Sequence, residues 1–148
     1  MKKQIVNNFL PGFARLALSI TLFYGAFVKG TDFVTFTSQM KQSPLLEPFN
    51  TTLVGIGVLA IEIIAAVLLS LPRTLRAGFY TSLFVMLLFS AYLSVLYFGY
   101  KNIPCSCGGI LGSMPYPVHI TFNIALTLLA LAGVLVWNPE NKRAVVIA

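Results

Sequence analysis

Charge is what this chain has least of. Of its 148 residues, 9% are Asp, Glu, Lys or Arg, against about a quarter in an ordinary soluble domain. A water-soluble globule of this length has too much surface to leave so bare, whereas a chain dissolved in lipid needs charges only in its loops. Acidic residues are the scarcest, four against ten basic ones, for a net charge of +6. A basic balance of that size suits nucleic acid or an anionic membrane face. Here the basic residues are scattered between apolar blocks, so they describe membrane topology and no nucleic-acid partner is expected. With two cysteines and one histidine, a four-ligand Cys/His zinc site and a disulfide-rich scaffold are both excluded. No nucleotide, flavin or haem motif is present.

What is abundant is apolar: 57% of the residues are hydrophobic and the mean hydropathy is +0.86. Runs of about twenty apolar residues cross a bilayer core at about 1.5 Å per residue. Four such runs stand out, at residues 9–28, 49–71, 79–98 and 118–137. The third has no charge, the second only Glu62, the fourth only the titratable His119, and the first is interrupted by Arg15. Met1-Lys2-Lys3 ahead of the first run has the outline of a cleavable signal peptide. Arg15 and the poor fit of Phe27, Val28 and Lys29 to a small-residue cleavage site speak against cleavage. The expected fold is therefore an all-α membrane protein, a four-transmembrane-helix bundle over residues 1–138 with a tail at 139–148.

Orientation follows from the excess of Lys and Arg on the cytoplasmic side. Lys2, Lys3, Arg73, Arg76, Lys142 and Arg143 fall on one side, and Lys29, Lys41 and Lys101 on the other. Both termini are expected in the cytoplasm, with the 29–48 segment and the 100–117 loop outside. In a bacterium this describes a multi-pass inner-membrane protein whose outer loops face the oxidising periplasm, where paired cysteines form disulfides. Phe33, Phe36 and Met40 have helical spacing between polar residues, which predicts a short amphipathic helix between Asp32 and Gln42. Pro72 closes the second run, and the short turn after it makes runs two and three antiparallel neighbours.

The most specific feature is Pro104-Cys105-Ser106-Cys107-Gly108-Gly109 in the outward loop. A disulfide between positions i and i+2 closes a small strained ring, and strained exposed disulfides are the labile ones. It also closes too short a loop to restrict the unfolded chain much. Gly108 and Gly109 permit the close approach of another backbone that a mixed disulfide requires. Three readings stand side by side: thiol/disulfide exchange, a permanent clip or two inert thiols, and capture of a soft metal ion by Cys105, Cys107 and His119, for which the ligand count is thin. For exchange, Cys105 is the expected attacking thiol and Cys107 the resolving one.

Several polar residues fall inside the apolar runs. His119 and Asn123 lie four apart on one helical face near the cysteine loop. There a histidine could move a proton for thiolate formation or, with Asn123, hydrogen-bond a quinone oxygen, or the two could join helices. Lys29 and Asp32, at the outer end of the first run, could order the cysteine loop or form a solvated pair. Arg15 and Glu62 lie about 9 and 14 Å in from the inner ends of their runs at 1.5 Å per residue, close enough in depth that they are expected to pair, with snorkelling of Arg15 as the alternative. Glu62 and His119 then belong to opposite halves of the bilayer and are expected to stay apart. Ala17, Thr21 and Gly25 form a stripe of small residues for helix packing, and Ser82, Ser90 and Ser94 share a face suited to interhelical hydrogen bonds.

Gly25, Lys29 and Asp32 at the end of an apolar helix, followed by Glu62 in the second run, resemble the DoxX-like four-helix membrane proteins. The cysteine loop followed by His119 and Asn123 resembles the MauE branch, the methylamine-utilisation membrane proteins. The likeness covers the chain from about Arg15 to Trp137. The family usually reads Cys-Gly-Cys-Phe-Gly where this chain has Cys105-Ser106-Cys107-Gly108-Gly109. Both thiols are kept, but the departure weakens the link to methylamine itself. The resemblance implies an inner-membrane protein that supports periplasmic thiol/disulfide exchange, or maturation of a periplasmic redox protein, alongside a thioredoxin-like partner. The competing expectation is a non-catalytic membrane anchor or assembly factor, with the cysteines fixing only loop shape. A transporter fits less well, since four runs with one acidic residue offer little of a midplane site.

Overall fold

The computed structural model describes residues 2–100 and 115–136, with side chains from residue 9 onward. Within them the chain is helical: α1 (Lys2–Thr31), α2 (Phe33–Lys41), α3 (Thr51–Ser70), α4 (Leu75–Gly99) and α5 (Tyr116–Val136). The residues of the cysteine loop, Cys105 and Cys107 included, and the 139–148 tail lie outside the described residues.

Local chemistry sets the helix ends. The Asp32 carboxylate accepts from Thr35 N at 3.2 Å and opens α2, and the Asn50 side chain accepts from Thr52 N and Leu53 N to open α3. Leu71, ahead of Pro72, takes the extended conformation that a following proline imposes and stops α3. Thr74 then braces the turn, its hydroxyl donating to Leu68 O at 2.9 Å. Pro117 falls in the first turn of α5, where its missing N–H is not needed.

The four long helices are apolar enough to cross a membrane: Phe9–Thr31 of α1, and α3, α4 and α5 whole. They form a closed ring in which α1 packs on α3, α3 on α4, α4 on α5 and α5 back on α1, while α2 lies mainly against α3. Each presents two apolar faces. On α1, Ala14, Leu18, Leu22 and Ala26 are buried while Phe13, Leu16, Ile20, Phe23 and Phe27 are more than half exposed. On α5, His119, Asn123, Leu126, Ala130 and Gly133 point inward and Val118, Ile124, Leu128 and Leu135 outward. Outward faces this apolar need lipid around them, and the chain is a multi-pass membrane protein.

The bundle is tight at one end and open at the other. Where α3 and α4 are joined, a Cβ on Gly78 would come within 2.8 Å of Leu69 N and 2.9 Å of Leu68 C, so the two backbones touch there because residue 78 has no side chain. Phe79 fills the centre at the same level, pressed on Gly133 of α5. At the other end α2 is inserted against the first turns of α3, with Phe33 and Thr37 facing Gly55.

The helix ends are not level, and this corrects the expected pairing of Arg15 with Glu62. Gly30 of α1 faces Leu59, so α3 runs several residues past the end of α1, into the space that α2 covers. Arg15 accordingly sits beside the last turn of α3, donating from Nε to Leu69 O and from Nη2 to Ser70 O, both at 2.8 Å. Those positions are roughly 10 Å along α3 from Glu62 at 1.5 Å per residue. The small-residue stripe is also displaced. Ala17 and Thr21 are half-buried, and the fully buried row on α1 is Ala14, Leu18 and Leu22.

Candidate functional site

The open end of the bundle encloses a cavity of about 300 Å³. Every helix contributes to its wall: Gly25 and Lys29 from α1, Phe36 and Met40 from α2, Val58 and Glu62 from α3, Phe89 and Tyr92 from α4, His119 and Asn123 from α5. Most of the wall is apolar, and Lys29, Glu62, His119 and Asn123 are among its few polar members.

Its charged side chains form an ion pair. Lys29 Nζ donates to Glu62 Oε1 at 2.6 Å, with the side chains 6% and 2% exposed. Lysine and glutamate are almost never buried this fully unless paired, because each charge alone loses its hydration. Lys29 Nζ also stands 5.4 Å from the centroid of the Phe89 ring, within cation–π range. Gly25 makes room, since a Cβ there would lie 3.2 Å from Lys29 Nζ and 3.5 Å from Glu62 Oε1. The second carboxylate oxygen, Glu62 Oε2, is buried and has no hydrogen-bond partner among the described residues.

His119 is 2% exposed and Asn123 5%. Asn123 donates from Nδ2 to His119 O at 3.1 Å, one turn back on the same helix, so its side-chain oxygen remains to serve as an acceptor. His119 and Glu62 line the same cavity.

Lys29 and Asp32 do not act as a pair. Lys29 turns inward to Glu62, and exposed Asp32 is engaged as the cap of α2. Of the serines on α4, Ser90 Oγ reaches Thr127 Oγ1 across to α5 at 3.2 Å, and Ser94 is bonded within its own helix to Ser90 O. Ser82 is fully buried without a hydrogen-bond partner among the described residues. Among the described residues no group of three His, Cys, Asp or Glu could hold a metal ion.

Tyr92 and Phe89 were not singled out from the sequence, because one tyrosine and one phenylalanine inside an apolar helix carry no pattern of their own. The partnership of Lys29 with Glu62 had a faint signal: Lys29 directly follows the first run, and Glu62 is the single charge inside the second. The ends of α4 and α5 adjoin, with the rings of Tyr97 and Tyr116 stacked at 6.3 Å between centroids. The helix ends that flank the segment carrying both cysteines therefore lie together at the open end of the bundle.

Neither a curated protein nor a solved structure gives a significant match to the chain. A family model, described as methylamine utilisation protein MauE, matches residues 7–137, which takes in all four long helices, the ion pair, His119 and the cysteine segment. The chain belongs to the MauE family.

Proposed function

We propose that this protein is a membrane thiol/disulfide exchange protein, with Cys105 and Cys107 as the working pair and a periplasmic thioredoxin-like protein or redox client as its partner. The observation that supports it best is where α4 ends and α5 begins. Both cysteines belong to the connection whose anchoring tyrosines stack at the open end of the bundle, the end that holds Lys29, Glu62 and His119. Ionisable groups buried together in a membrane bundle mark functional sites more often than packing, since unpaired they cost several kcal/mol each.

In the oxidising direction a partner thiolate attacks the Cys105–Cys107 disulfide and forms a mixed disulfide with Cys105, releasing Cys107 as a thiolate. The partner's second thiolate then displaces Cys105. The partner leaves with a disulfide, and Cys105 and Cys107 are left as a dithiol carrying the two electrons. The reverse sequence reduces the partner with the same balance. The excess of Lys and Arg at the opposite end of the bundle favours a periplasmic position for the loop in the inner membrane.

Trapping thiols in intact membranes with a mass-tagged maleimide, across a graded glutathione series, tests this reading. A disulfide that opens near the potential of periplasmic exchange proteins is expected. Cys107→Ser should then accumulate a mixed disulfide with the partner. A bond that resists reduction, or thiols that never oxidise, would replace exchange by a membrane anchor whose loop merely docks its client.

A further inference from the structure

The exchange just proposed leaves a dithiol that must be reoxidised, or a disulfide that must be reduced, and the cavity points to how. We propose that it is a binding site for the head ring of a lipid-soluble quinone or quinol, held by Lys29, Glu62, His119 and Asn123. As a binding site this stands on the cavity alone; its role as the electron acceptor rests on the exchange reading.

Two observations point to a ligand rather than to packing. Glu62 Oε2 is buried in the wall and has no hydrogen-bond partner among the described residues. A buried carboxylate oxygen left so is costly, and a hydroxyl brought by a ligand would satisfy it. The space beside it is about 300 Å³, at the small end of known ligand pockets, which run from about 300 to 1,000 Å³.

The direction of access narrows the ligand class. Leu88 forms part of the wall and is also 52% exposed on the outside of the bundle. It lies near the middle of α4, one of the four membrane-crossing helices, so this exposed part of the wall faces acyl chains and a mouth beside it would open to lipid. A ligand using this mouth arrives dissolved in the bilayer. Among its aliphatic side chains the wall carries four aromatic ones, Phe36, Phe89, Tyr92 and Phe122, with Phe89 beside Lys29, and these can flank a flat ring. Lys29 can donate to a ring carbonyl, while Glu62 Oε2 can accept from a ring hydroxyl. The site thus holds both oxidation states of a quinone. An anionic lipid head would bring a second negative charge against Glu62 and is disfavoured.

The electron balance closes with no further reactant. Oxidation of one Cys105–Cys107 dithiol releases two electrons and two protons, and one quinone takes up both to become one quinol.

The test uses the full chain in nanodiscs, with a photoreactive azido-ubiquinone as probe and decylubiquinone as competitor. Saturable labelling of one probe per chain is expected. Lys29→Met/Glu62→Leu removes both charges together, and Leu88→Trp narrows the mouth from an exposed position; each should weaken binding at least tenfold with helicity by circular dichroism retained. Ile64→Trp, equally exposed but off the cavity, should leave binding unchanged, as should Cys105→Ser/Cys107→Ser, which removes exchange. Labelling that never saturates, equal competition by oleate, or unaltered binding in Leu88→Trp would overturn the site. A labile disulfide without quinone binding sinks this proposal and leaves exchange standing; saturable quinone binding beside inert cysteines supports the site and sinks exchange.

Discussion

Lys29, in the last turn of α1, and Glu62, in the middle of α3, share one 2.6 Å hydrogen-bonded ion pair inside the bundle. It ties together α1 and α3, two of the helices that wall the cavity, and each charge is tolerable only because of the other. Lys29→Met alone should therefore destabilise the protein by about 3–5 kcal/mol, and Glu62→Leu alone by a similar amount, because each strands a buried charge. The double substitution Lys29→Met/Glu62→Leu should lie well below the sum of the two. Reversible unfolding in mixed micelles measures all three; strictly additive losses would show that the pair is not coupled.

The tight end of the bundle gives a prediction of the opposite kind, about space. Gly78→Ala places a methyl group against Leu69 N and Leu68 C, which are backbone atoms of α3 and cannot rotate aside. The helices must part, at a cost of about 1–3 kcal/mol. Gly57→Ala serves as the comparison, since nothing lies within 4 Å of a Cβ there. It should gain up to about 1 kcal/mol from helix propensity. A melting temperature unchanged by Gly78→Ala would mean that α3 and α4 are not in backbone contact.

How far the sequence carried is clearest at these same residues. The four membrane-crossing helices and the short helix after the first were legible, because an apolar run of bilayer length and the 3.6-residue spacing of Phe33, Phe36 and Met40 are properties of single segments. The partner of Glu62 was not. Choosing between Arg15 and Lys29 depends on how α1 slides along α3, which is set by Gly30 on Leu59 and by Phe33 and Thr37 on Gly55, contacts between segments that no single run reveals. His119 and Asn123 were legible as a pair because both lie on one helix. That they share a wall with Glu62 required the same missing register.

Arg15 tests that register directly. Its guanidinium bonds Leu69 O and Ser70 O, carbonyls in the last turn of α3 that no further helical turn can satisfy. Arg15→Met should lose about 1–3 kcal/mol, and Arg15→Lys should recover only part of it, because an ammonium lacks the planar fork that reaches both oxygens. If Arg15 instead served Glu62, Arg15→Met/Glu62→Leu would recover stability relative to Arg15→Met. The expected result is additivity, measured in the same micelle unfolding assay.

Phe79 and Gly133 supply the last prediction. Phe79 is fully buried, and its ring lies where a Cβ on Gly133 would have to go. Gly133→Ala should force the ring from its rotamer, costing about 1–3 kcal/mol. Phe79→Leu alone should also cost stability, because it leaves a void where α1, α4 and α5 meet. Together they exchange ring volume for the added methyl, so the combined loss should be smaller than the sum by 0.5 kcal/mol or more, roughly the scale seen for residues in direct contact. Quinone-probe labelling should survive in the double variant, since neither residue belongs to the cavity wall. Parallel loss of labelling and stability would show that the closed end sets the shape of the open one.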